Sequence, residues 1–148
     1  MITTPAIGAT FVQAAHLLAT HLVDHALPEP ASLEVISRTH HSRLTVQVQS
    51  MAVPEVASEV LGWVDTLTTV TVQAWRTPTG ERVHLSMTST LSNPAATVEL
   101  TIFGGAEHDP ALVGDLAPGE YRAVTLGELH TWAADASEPP TDGEALTR

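Results

Sequence analysis

A chain of 148 residues is the size of one domain, and its 43% hydrophobic residues are enough for one core. The absence of Cys excludes disulfides, thiolate metal sites and cysteine nucleophiles. The net charge is −11 and every basic residue is an Arg; such a surface repels phosphate backbones, so direct nucleic-acid binding is not expected.

The N-terminal residues Met1 to Ala6 lack the basic opening of a signal peptide, and no apolar run is long enough to span a bilayer. A cytoplasmic setting without membrane contact is therefore expected. Residues 7–26 predict an amphipathic helix, with Phe11, Ala15, Leu18, Leu22 and Ala26 on its apolar stripe and His16, Thr20 and Asp24 opposite. Pro28 and Pro30 end it. Strands are predicted over 32–38 and 43–50, joined by a turn at His40-His41-Ser42. In the second strand Leu44, Val46 and Val48 face one way, and Thr45, Gln47 and Gln49 the other. A second helix fits 54–67, with Pro54 in its first turn and Val56, Val60, Trp63, Val64 and Leu67 as its stripe.

Three strands follow over 69–76, 82–91 and 96–103, with turns at Pro78-Thr-Gly80 and Ser92-Asn-Pro94. Residues 106–124 read as a long acidic connection. A short helix fits 126–135, with Thr125 and Glu128 in capping-box spacing. The expected fold is α+β: an antiparallel five-stranded sheet with two long helices on one face, in the order α-β-β-α-β-β-β-α. The domain spans 1–135, and 136–148 is a flexible acidic tail rich in Pro, Asp and Glu. The two halves echo one another. Leu33-x-Val35…Arg38-Thr39…Arg43 in the first matches Val70-x-Val72…Arg76-Thr77…Arg82 in the second, consistent with a duplicated αββ unit or with the general likeness of amphipathic hairpins.

Chemistry-bearing patterns are sparse. His21 and His25 lie one helical turn apart and could share a metal, but Leu22 stands where the metalloprotease pattern needs Glu, and Asp24 points away. No metal, cofactor or catalytic residue is expected. There is no Gly-x-Ser-x-Gly elbow, Gly104-Gly105 is not a phosphate loop, and His108-Asp109 has no nucleophile partner in sequence.

The more informative pattern is the second face of the predicted sheet. It would carry Thr45, Gln47, Gln49, Thr69, Thr71, Gln73, Trp75, Arg82, His84 and Phe103, with Ser86, Thr88, Glu99 and Thr101 beside them. Thr-rich strands are good strand formers in any setting, so a solvated face would also explain them. A face of neutral hydrogen-bonding groups with two aromatic anchors also suits an interface. The expected function is a non-enzymatic interaction or adaptor module, a homodimer acting on an unidentified protein partner. A small-ligand-binding domain, with its ligand between sheet and helices near Trp63, Trp75 or His84, is the first alternative. An acidic nucleic-acid mimic that inhibits a partner is the second, and a metal-dependent enzyme using the histidines is the third.

The segments Leu61-Gly-Trp63, Thr69-Val-Thr-Val-Gln-Ala-Trp-Arg-Thr77, Arg82-Val-His-Leu-Ser-Met-Thr88 and Val98-Glu-Leu-Thr-Ile-Phe-Gly-Gly105 carry a resemblance. Over residues 11–105 the chain resembles small uncharacterised proteins of actinobacteria and their mobile elements. The resemblance implies a compact fold and a host type, and carries no activity with it.

Overall fold

The computed structural model describes residues 9–38 and 41–137. The chain runs α1 (Phe11–Asp24), β1 (Ser32–Arg38), β2 (His41–Gln47), α2 (Val53–Val64), β3 (Thr71–Arg76), β4 (Arg82–Asn93), β5 (Ala96–Glu107), α3 (Pro110–Val113), β6 (Tyr121–Val124) and α4 (Leu126–Ser137). The fold is α+β, and the six strands form one sheet in the order β1-β2-β5-β4-β3-β6.

The sheet is mixed, not antiparallel. β2 and β5 run parallel, with Thr45 beside Thr101 and Gln47 beside Phe103, while the other four pairings are antiparallel. Alternation reports which side of a sheet a residue faces, and it is blind to the direction of the neighbouring strand. The hairpins β1–β2 and β3–β4 flank β5 with opposed strand directions, as a two-fold axis through β5 would relate them.

The sixth strand is a second correction. Tyr121–Val124 pairs antiparallel with β3 inside the stretch read as an acidic connection. That stretch also holds the end of β5 and the single turn α3. His41 and Ser42 belong to β2 and not to a turn, and positions 39 and 40 lie outside the described residues. Helix α4 extends through Ala136 to Ser137, past the expected domain boundary; the remainder of the tail, 138–148, lies outside the described residues.

Helix α1 starts later and ends earlier than its periodicity suggests. Thr10 and Gln13 form a capping box, with Gln13 N–H donating to Thr10 Oγ1 at 3.1 Å and Thr10 N–H to Gln13 Oε1 at 2.9 Å. At the other end Ala26 takes a left-handed φ of 51°, and Leu27 N–H donates back to Leu22 O. The buried face is Ala14, Leu17 and Leu18, so the expected stripe is rotated: Phe11 is 53% exposed and Ala26 is exposed. Helix α2 buries Val53, Val56, Ala57, Val60, Leu61, Trp63 and Val64, as its periodicity indicates. Thr125 and Glu128 form the predicted capping box at the start of α4. Arg122 joins Glu128 at 2.8 Å, donates to Val113 O at 2.8 Å and lies over the Trp132 ring, which locks β6, α3 and α4 together. Among the described residues no helix is long and apolar enough to cross a membrane.

The helices α1, α2 and α4 join one core with the inner side of the sheet, built from Leu44, Val46, Val72, Leu85, Met87, Leu100 and Ile102. Gly104 sits where α2 crosses β5. A Cβ there would stand 2.6 Å from Val48 Cγ2 and 2.7 Å from Val56 Cγ1. Gly104→Ala should therefore destabilise the fold by about 1–3 kcal/mol through overpacking. Val56→Ala in the same chain should recover part of that loss. Urea melts of the two single variants and the double variant measure the coupling, and strict additivity would show that the helix does not press on this glycine.

Candidate functional site

Paired residues of neighbouring strands share a face, so strand register assigns the second, uncovered side of the sheet. One row across it reads Ser32, Gln47, Phe103, Ser86, Gln73 and Ala123. The next, toward the far end of β3, reads Glu34, Thr45, Thr101, Thr88 and Thr71. On the other flank lie Gly105, His84, Trp75 and Tyr121.

Eight of the ten residues expected at an interface therefore lie on this one face: Thr45, Gln47, Thr71, Gln73, Trp75, Arg82, His84 and Phe103. Thr69 precedes β3, but it borders a shallow depression of the same face with Thr71, Thr88 and Glu99. Gln49 lies beyond the end of β2, exposed, with Nε2 donating to Glu29 O at 3.2 Å.

The face carries an aromatic row that the sequence reading did not assemble. Tyr121, Trp75, His84 and Phe103 come from β6, β3, β4 and β5 and stand side by side. The ring centroids are 5.7 Å apart for Tyr121–Trp75, 5.4 Å for Trp75–His84 and 6.2 Å for His84–Phe103. Tyr121 was hidden because its strand was not recognised. The available signal was the Pro118-Gly119 turn followed closely by Tyr-Arg-Ala-Val, a four-residue run that contains two strong strand formers. Gly105 opposes His84 and leaves the row uncovered at that point. A Cβ on it would approach Arg82 Nη2 at 3.2 Å and His84 Nε2 at 3.4 Å.

Electrostatics set this face apart from the rest of the molecule. Its strands bear Glu34, Glu99 and Glu107 against Arg38, Arg43 and Arg82, a balanced set on a chain of net charge −11. The expectation of a face of neutral hydrogen-bonding groups is thus corrected: acids are present, and guanidiniums equal them in number. His41 Nε2 lies 2.8 Å from Glu99 Oε2 at the β2 end of the face. Burial holds the His84 imidazole below its ordinary pKa, and the neighbouring Arg82 charge adds to the effect.

The His21–His25 pair lies elsewhere, at the C-terminal end of α1. Its ring centroids are 4.4 Å apart, and His21 stacks on buried Trp63 at 5.7 Å. His21 Nε2 lies 2.7 Å from Thr66 Oγ1, whose hydroxyl donates to Trp63 O, so His21 donates to the hydroxyl oxygen. Among the described residues no group of three or more His, Asp or Glu is placed to hold a metal. Trp63 is in the core, whereas Trp75 and His84 are on the opposite side of the sheet, so the three do not line one site.

Burial lowers the pKa of His21; His25 lowers it further, and Asp24 opposes the shift. A histidine with a lowered folded pKa takes up protons more readily in the unfolded chain. Its contribution is whole above about pH 6.5 and is lost as pH falls through the folded value. Relief of the chain's negative self-repulsion works in the opposite direction over the same interval. The comparison that isolates the histidine is His21→Gln against the wild type. Between pH 7.5 and pH 5.5 the wild type should lose stability relative to the variant in urea titrations; parallel curves would contradict the assignment.

No family model, curated protein or solved structure matches this chain.

Proposed function

We propose that the protein is a non-enzymatic interaction module that self-associates through the open face of its sheet. The observation that carries this reading is charge balance on that face. A molecule of net charge −11 meets its own copy with least repulsion where carboxylates and guanidiniums cancel, and the uncovered face is such a place. The aromatic row supplies anchors of the kind that dominate interface energetics, and the surrounding Thr, Gln and Ser side chains can pair across a two-fold axis.

Size supports the same reading. Six strands averaging eight residues present a flat area on the order of 700 Å² at the usual strand spacing and rise. A standard interface takes about 800 Å² from each partner. The test is the double variant Gln47→Glu/Thr71→Glu, which adds two carboxylates to each copy of the face. It should leave the fold intact and abolish the dimer.

A further inference from the structure

The loop between β5 and β6 folds back against the β3–β4 turn and borders an open depression of about 460 Å³ at the end of the sheet. It is well anchored. Arg76 N–H donates to Glu120 O, Gly119 N–H to Arg76 O, and His108 N–H to Glu81 O. The Arg76 side chain reaches into the same region. Its Nε donates to Gly80 O at 2.9 Å and its Nη1 to Leu116 O at 2.7 Å.

Two features of this depression are unexplained by the fold. Arg76 is half-buried and fixed by two main-chain carbonyls, yet among the described residues it has no carboxylate within ion-pair distance. A partly desolvated guanidinium is usually matched by a counter-charge. Beside it, His108 Nδ1 is buried and has no hydrogen-bond partner. Burial lowers the His108 pKa, with Arg76 adding to the effect and Asp109 opposing it, so the ring is neutral at pH 7.

The rest of the lining excludes a simple anion. Asp115 and Glu120 border the same depression, so its charged groups are one cation and two anions. A phosphate or dicarboxylate would meet a net negative wall. A plain amine would leave the guanidinium unmatched. A ligand carrying both charges satisfies both sides, and the exposed Pro110 and Ala117 offer apolar surface to its remainder.

We propose that this depression binds a small zwitterion of the α-amino-acid class, with Arg76 taking the carboxylate and Asp115 and Glu120 the ammonium. Arg76 can offer a carboxylate the donors that its two carbonyl contacts leave free. The site is separate from the open face, and its occupancy does not depend on self-association.

The test uses the full chain, labelled with nitrogen-15, and three probes: L-leucine, its decarboxylated amine isoamylamine and its deaminated acid 4-methylpentanoate. Leucine should shift the amide signals of Gly114 to Glu120 saturably, at millimolar affinity or tighter, and at least about tenfold more tightly than either half-molecule. Because Arg76 also ties two loops together, Asp115→Asn is the informative variant. Asp115 is exposed and makes no hydrogen bond among the described residues, so the fold should survive. Leucine binding should weaken by on the order of tenfold in that variant, without weakening of 4-methylpentanoate. No saturable leucine shift in this loop would overturn the proposal. So would either half-molecule binding as tightly as leucine, or leucine binding that is indifferent to Asp115→Asn.

Discussion

Val60→Asp should abolish cooperative folding. Val60 is fully buried on α2, in the layer where that helix meets the sheet and α4. An aspartate there must either stay ionised in an apolar environment without a partner or take up a proton and remain a buried polar group. Either cost is several kcal/mol, added to the lost packing of the valine, against a total stability of about 5–15 kcal/mol for a domain. Ser58→Asp is the control, because Ser58 is exposed on the same helix. It should melt close to the wild type by circular dichroism. A soluble Val60→Asp variant with a sharp melting transition would mean that α2 presents a different face to the sheet.

Helix α2 was legible because its stripe is dense: seven of its twelve residues are buried, and Pro54 and Glu55 mark its start. Helix α1 was legible in existence and not in phase. Its apolar residues span a wide arc, so Phe11 looked as suitable for the core as Ala14 and Leu17. Which part of that arc is buried is set by packing against the strands, which a hydrophobicity pattern does not encode. The C-terminal limit followed local backbone chemistry at Ala26 rather than the side-chain period.

In the sheet, alternation assigned the two sides of β2, β3 and β4 correctly, and most of the candidate face followed from it. Strand order and direction did not follow. β5 comes last in its hairpin, yet it inserts between β4 and the earlier β2, a long-range pairing with no local signature. For the same reason the aromatic row could not be read from sequence. Its four rings come from four strands, and only register brings Phe103 and Tyr121 into line with Trp75 and His84. The Arg76 depression was out of reach too, since it depends on how the β5–β6 loop returns to the β3–β4 turn.

Gln47→Glu/Thr71→Glu should convert a dimer into a monomer. Gln47 and Thr71 lie on strands either side of the β5–β4 centre of the open face, and neither belongs to the core. Two added carboxylates per chain place four in a two-fold interface and end its charge balance. Like charges brought together in a contact cost several kcal/mol, enough to weaken association more than 100-fold. Thermal melts should change little, since both positions are at the sheet surface. The effect should shrink in high salt, because screening reduces repulsion between the added carboxylates.

The most direct measurement is sedimentation velocity of the wild-type chain over a wide concentration range. Self-association through the open face predicts a boundary that moves, with rising concentration, from the 15.7 kDa chain toward twice that mass, and stays at the monomer position in Gln47→Glu/Thr71→Glu. A wild-type boundary fixed at the monomer mass across the whole range would contradict it.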